Sequence, residues 1–135
     1  MRFVDTNVLL YAVSTADDES WKKERALQIL DAEDLVLSVQ VLQEFYVQAT
    51  RVTRSDRLGH EQAVALVESW LRFRVQELTV PIVRGAFAAA AQWRLSYWDA
   101  AIVEAARAAG CHTVLTEDLQ DGMDFGGVRV VSPFG

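Results

Sequence analysis

Asp5 interrupts the opening stretch MRFVDTNVLL, standing with Thr6 and Asn7 between two apolar segments. Three more acids occupy comparable settings: Glu44 in VLQEFY, Asp99 in LSYWDAAIV and Asp118 in TVLTEDLQDG. Each has a purely local explanation. Asp5 with Thr6 and Asn7 can cap a helix, Ser96 and Asp99 have capping-box spacing, Glu44 borders an apolar stripe, and residues 117–124 read as turn chemistry. Singly, the local explanation is favoured for each; their joint position shifts the balance. Carboxylates gathered at one place repel by about 4 kcal/mol per close pair at ~4 Å and an effective dielectric of ~20. A domain of ordinary stability does not carry that load without a counter-charge. Oxygen donors with no histidine or thiol beside them select a hard divalent cation, Mg²⁺ or Mn²⁺, over zinc.

Alternating strands and helices must position these acids. Phe3 and Val4 read as a strand, residues 8–13 as a short helix, and residues 21–32 as a second helix after a polar start at 17–20. Residues 35–37 form a buried strand, and Ser38 caps a helix running to about Arg51. On that helix Val41, Leu42, Phe45, Ala49 and Val52 make the apolar stripe, with Glu44 just outside it. Residues 52–59 are loop-like and 60–72 helical; 75–80 read as a strand, and Pro81 opens an alanine-rich helix over 82–93. A helix over 98–109 stops at Gly110, and strands follow at 112–116 and 128–131. This pattern predicts an α/β fold, a mostly parallel central sheet with helices on both faces. Ligands in such sheets collect beyond the carboxyl ends of the strands, where Asp5 and Asp118 fall.

The 135 residues, 51% apolar and 24% charged, fit one domain over 1–135 with a single core. The longest small-apolar run, 86–91, is far short of the ~20 residues of a membrane span, and no signal-like segment precedes Asp5, so the expected location is cytoplasmic with no membrane partner. Cys111 is the sole cysteine and reads as a small buried hydrophobe. His60 and His112 lack metal-ligand spacing and read as surface or strand-end residues. A net charge of −6 argues against a nucleic-acid partner at first sight. Its distribution matters more. Only Lys22 and Lys23 are lysines among 13 basic residues, and arginines recur at Arg51, Arg54 and Arg57, a choice suited to bidentate phosphate contacts. Trp93, Arg94, Tyr97 and Trp98 cluster beside Asp99, where aromatic rings can stack on unpaired bases; packing in the core or against a partner is the better reading for at least two of them.

The segments DTNVLLY at 5–11, QEF around Glu44, YWDAAIVEAA around Asp99 and LTEDLQDG at 115–122 resemble, in order, the four acidic motifs of PIN-domain ribonucleases, especially VapC-type toxins of prokaryotic toxin–antitoxin pairs. The resemblance implies a three-layer PIN-like fold with four to five central strands. It implies Asp5, Glu44, Asp99 and Asp118 as metal-binding acids, supported by Thr6, Asn7 and Thr116, with Asp121 an acid only sometimes used and Glu117 an accessory. It further implies Mg²⁺ or Mn²⁺, hydrolysis of RNA, a VapB-type antitoxin partner and a homodimer. Arg51, Arg54, Arg57, Arg94 and Trp98 are then the candidate RNA contacts.

Two other classes remain open. A PIN-like fold can serve as a non-catalytic module whose acids hold a partner's arginine. A haloacid-dehalogenase-like phosphotransferase needs a lysine beside the phosphoryl group, and both lysines lie together at the start of the second helix, which ranks it lower. Dinucleotide and P-loop functions lack their glycine motifs.

Overall fold

The computed structural model describes residues 1–135. Five strands, β1 (Arg2–Val4), β2 (Leu35–Ser38), β3 (Arg74–Gln76), β4 (Thr113–Leu115) and β5 (Arg129–Val131), pair in the order β3-β2-β1-β4-β5, all parallel. Six helices flank them: α1 (Thr6–Ala12), α2 (Ser20–Leu30), α3 (Val39–Ala49), α4 (His60–Trp70), α5 (Val80–Trp93) and α6 (Tyr97–Ala108), with a 3₁₀ turn at Asp17–Glu19. The central strands are short continuous apolar runs because helices cover both faces, and Phe3, Val4, Val36, Leu37 and Val114 are fully buried. One cluster of 28 buried side chains surrounds the sheet, and a smaller one, Ala86, Ala89, Ala100 and Ala101, lets α5 and α6 approach closely. No helix is long and apolar enough to cross a membrane.

Strand order decides where the chemistry sits. From β1 the chain builds β2 and β3 on one side, then returns to place β4 and β5 on the other, so the reversal lies between β1 and β4. Phe3 pairs with Val114 and Val4 with Leu115, which brings the next residues, Asp5 and Thr116, to one edge.

The helix starts follow their caps. Asp5 accepts from the Thr6 amide, Ser38 from Val41, Thr79 from Ile82 and Ser96 from Asp99, so α1 begins at Thr6 rather than at Val8. Two further expectations need correction. The strand expected over 75–80 is shorter, because the Thr79 cap with Pro81 in the first turn draws Val80 into α5. Val52 is not part of the α3 stripe: the helix ends at Ala49 and Val52 is 80% exposed. Gly110, at φ +78°, stops α6 as expected, because left-handed backbone carries no steric cost at glycine.

Candidate active site

Asp5 is 5% exposed at the end of β1, and both of its oxygens accept from the chain. Oδ1 accepts from the Thr6 amide at 2.7 Å and Oδ2 from the Thr116 hydroxyl at 2.8 Å. The Thr116 oxygen itself accepts from Asn7 Nδ2 at 2.9 Å and from the Asp118 amide at 3.0 Å. Asn7 Nδ2 also donates to Asp118 Oδ2 at 3.2 Å, so one amide and one hydroxyl hold two acids in register. Glu44 joins from α3, where its Oε2 accepts from Thr6 Oγ1 at 2.9 Å and its Oε1 from Gln40 Nε2 at 2.8 Å.

The electrostatics follow from this packing. Burial pushes the Asp5 carboxyl up from 3.8 to about 7; the Thr6 and Thr116 hydrogen bonds oppose the shift, and the charges of Asp118 and Glu44 add to it. Asp5, Glu44 and Asp118 have no ion-pair partner. The side-chain oxygen of Asn7 is buried without any hydrogen-bond partner, the one such atom in the chain. A hydrated cation would satisfy all of these at once, lowering the Asp5 pKa, neutralising its neighbours and offering water to the orphaned oxygen. The oxygen-only donor set fits a hard divalent ion. No three Asp, Glu, His or Cys side chains are gathered closely enough to ligate one ion as they stand; the carboxylates are turned instead toward Thr6, Gln40, Thr116 and Asn7.

Asp99 stands apart from this network. Its amide donates to the Ser96 hydroxyl at 3.1 Å, but its carboxylate does not return the bond, so only half of the capping box forms. The link to the other acids runs through Gln40, which is buried and donates both to Glu44 and to the Trp98 carbonyl at 3.2 Å. Asp121 is exposed and engaged elsewhere, accepting from the Ser132 amide at 2.9 Å.

A cleft of about 460 Å³ opens over the acids, lined by Thr6, Asn7, Glu44 and Asp118 and, further out, by Arg54 and Asp56. Arg54 pairs with Asp56 at 2.9 Å, and Asp56 accepts from the Thr15 amide at 2.9 Å, tying the α3–α4 loop to the α1–α2 connection. A second recess of about 400 Å³ adjoins it, with Glu44 and Gln48 lining both, and holds Arg51 and Trp98. Trp98 is 63% exposed. Arg57 and Arg94 line neither recess. Trp93 packs on Phe125 and Tyr97 lies between Phe87 and Trp98, so those two rings are packing groups. His60 meets the Tyr46 hydroxyl and His112 the Gly127 carbonyl, away from the acids, while Cys111 is buried.

Sequence reasoning missed three contributors. Gln40 lies one turn before Glu44, a spacing that predicts contact. Tyr11 lies one turn after Asn7 and its hydroxyl bonds Glu117 Oε1. Lys22 lies at the start of the second helix as expected, and it bonds Glu117 Oε2 at 2.8 Å because the α1–α2 connection turns α2 back past the end of β4.

The sequence matches the PIN-domain family over residues 2–120. The chain belongs to that family. As a PIN domain it shares its fold with the VapC20 toxin of Mycobacterium tuberculosis, described as cleaving the sarcin–ricin loop, at 21% identity, covering 87% of this chain and 92% of that one with a TM-score of 0.69. A toxin–antitoxin complex from Klebsiella pneumoniae is similar at 20% identity, 98% of each chain and a TM-score of 0.70. The DNA-bound VapBC of Salmonella typhimurium is similar at 18% identity, 98% of this chain and 97% of that one, with a TM-score of 0.68. No curated protein matches the sequence.

Proposed function

We propose that this PIN domain is a divalent-metal-dependent endoribonuclease, the toxin of a toxin–antitoxin pair. One observation carries the reading: a buried Asp5 sits at the sheet's reversal point, raised to about 7 with the charges of Asp118 and Glu44 contributing, and none of the three acids is ion-paired by the protein. That is the electrostatic state of a site completed by a ligand.

Asp5, Glu44 and Asp118 would hold Mg²⁺ or Mn²⁺, with Asp99 approaching from the start of α6. The bound ion supplies an acidified water and neutralises charge developing on the phosphoryl group. With a cation held there Asp5 would stand as the carboxylate, to which the Thr116 hydroxyl donates a stronger bond than to a neutral acid. Thr6 and Gln40 fix the Glu44 rotamer, and Asn7 fixes Asp118. Arg51 and Arg54 flank the acids on the α3 side and would meet the phosphates on either side of the scissile bond. Trp98, open to solvent in the adjoining recess, would stack on an unpaired base.

The similarity to solved toxin–antitoxin complexes supports a VapB-type antitoxin as partner; a homodimer and a cytoplasmic site of action belong to the same proposal. Induced expression followed by mapping of RNA 5′ ends tests the reading. The expected result is growth arrest with new ends at a defined site, both lost in Asp99→Asn. Arrest without new RNA ends would instead favour a binding module acting through its acidic face, and ends that persist in Asp99→Asn would overturn the role given to that acid.

A further inference from the structure

Glu117 is the acid closest in sequence to Asp118, and it lines the same cleft. Both of its oxygens are nevertheless occupied: Oε1 accepts from the Tyr11 hydroxyl and Oε2 from Lys22 Nζ at 2.8 Å. The ammonium also reaches the Tyr11 hydroxyl at 3.3 Å, which closes a triangle of three side chains.

Lys22 is held there by more than the ion pair. Its Nζ lies over the Tyr11, Trp21 and Phe134 rings at 4.8, 5.6 and 5.3 Å from their centroids. The Phe134 ring meets Tyr11 and Trp21 edge-on at 5.0 and 6.1 Å, and Arg25 bonds the Pro133 carbonyl at 3.1 Å, so the segment after β5 is folded over the lysine. An ammonium in an aromatic surround keeps its charge and loses its freedom to wander. Lys22 does not line the cleft.

Resting on the metal-dependent reading above, we propose that Lys22 and Tyr11 sequester Glu117, so that the cleft presents a cation with Asp5, Glu44 and Asp118 but withholds the carboxylate beside Asp118. Lys22 is thus a positioning residue that sets how many acids the ion meets. The physical basis is competition for one carboxylate. The Lys22 ammonium neutralises Glu117, which makes it a poor ligand, while Asp5 and Glu44 accept only from neutral donors and keep their full attraction for a cation; a freed Glu117, one residue from Asp118, draws the ion toward itself and out of register with Asp5. Binding then tightens while reaction slows.

The test compares Lys22→Met, Lys22→Arg, Glu117→Gln and the double variant Lys22→Met/Glu117→Gln in the full chain, reading Mn²⁺ affinity by calorimetry and RNA cleavage separately. In Lys22→Met the expected Mn²⁺ dissociation constant falls about fivefold, the size of one weakly screened charge, while cleavage drops about tenfold or more, as when a group orienting a ligand is lost. The double variant returns Mn²⁺ affinity to within about twofold of wild type, and Lys22→Arg, which keeps the charge, stays near wild type. Simple loosening of the fold moves both readouts down together, so Mn²⁺ affinity that is unchanged or weaker in Lys22→Met overturns sequestration, as does failure of the double variant to revert. If wild type binds Mn²⁺ and the affinity pattern holds but no RNA is cut, sequestration stands and the nuclease reading is what fails.

Discussion

The Thr116 hydroxyl donates to Asp5 Oδ2 at 2.8 Å, joining the ends of β1 and β4 across 111 residues of sequence. The same oxygen accepts from Asn7 and from the Asp118 amide, so a single hydroxyl sets the spacing of two acids.

Thr116→Val keeps the shape and removes that hydroxyl. The substitution leaves the Asn7 amide and the Asp118 amide short of an acceptor, and a cost of about 1–3 kcal/mol is expected. The Thr116 bond favours ionised Asp5, so the loss is larger at about pH 8 than at about pH 5.5. Urea unfolding at the two pH values reads the difference.

Asp5 also imposes a pH dependence on the metal-free protein. Its folded pKa, about 7, lies above the ordinary 3.8, so the fold favours the protonated acid. The associated stability is fully present below about pH 4, declines as pH rises toward 7, and is gone above that. At about 1.4 kcal/mol per tenfold change in proton affinity, the swing is on the order of a few kcal/mol. Asp34 and Asp56 act oppositely. They are held below 3.8, chiefly by the Arg2 side chain and the Thr15 amide respectively, and their contribution is lost only under stronger acid. Denaturation in a chelator therefore shows stability falling between about pH 4 and 7, and Asp5→Asn flattens that fall.

Arg51 faces the recess beside Glu44 but touches none of the acids. Arg51→Ala is expected to raise KM for RNA and leave kcat nearly unchanged, with the slope of log affinity against log salt reduced by about 1. Steady-state kinetics at several salt concentrations check both.

What the sequence made legible is local. Ser38 and Ser96 announced their helices because a cap and its amide lie three residues apart, and Gly110 announced a stop for an equally local reason. The positions of the buried strands followed from continuous apolar runs, but their order in the sheet did not. The tie between Lys22 and Glu117 was illegible, since the two are 95 residues apart and nothing in either segment signals the other. The same holds for Thr6 with Glu44, which depends on how α3 packs on α1. Asp99 was identified as a chemistry-bearing acid from its motif, yet its motif does not specify how its carboxylate meets the others, which depends on the rotamer left free when half a capping box forms.

Calorimetric titration of Mn²⁺ into the chelator-treated chain at about pH 7, repeated in two buffers of different ionisation enthalpy, tests the central claim most directly. If buried Asp5 awaits a divalent cation, binding releases about half a proton per ion, because a group with pKa near the working pH is half protonated beforehand. Asp5→Asn then abolishes both the binding and the release. No binding, or binding in Asp5→Asn as tight as in wild type with no proton released in either, would contradict it.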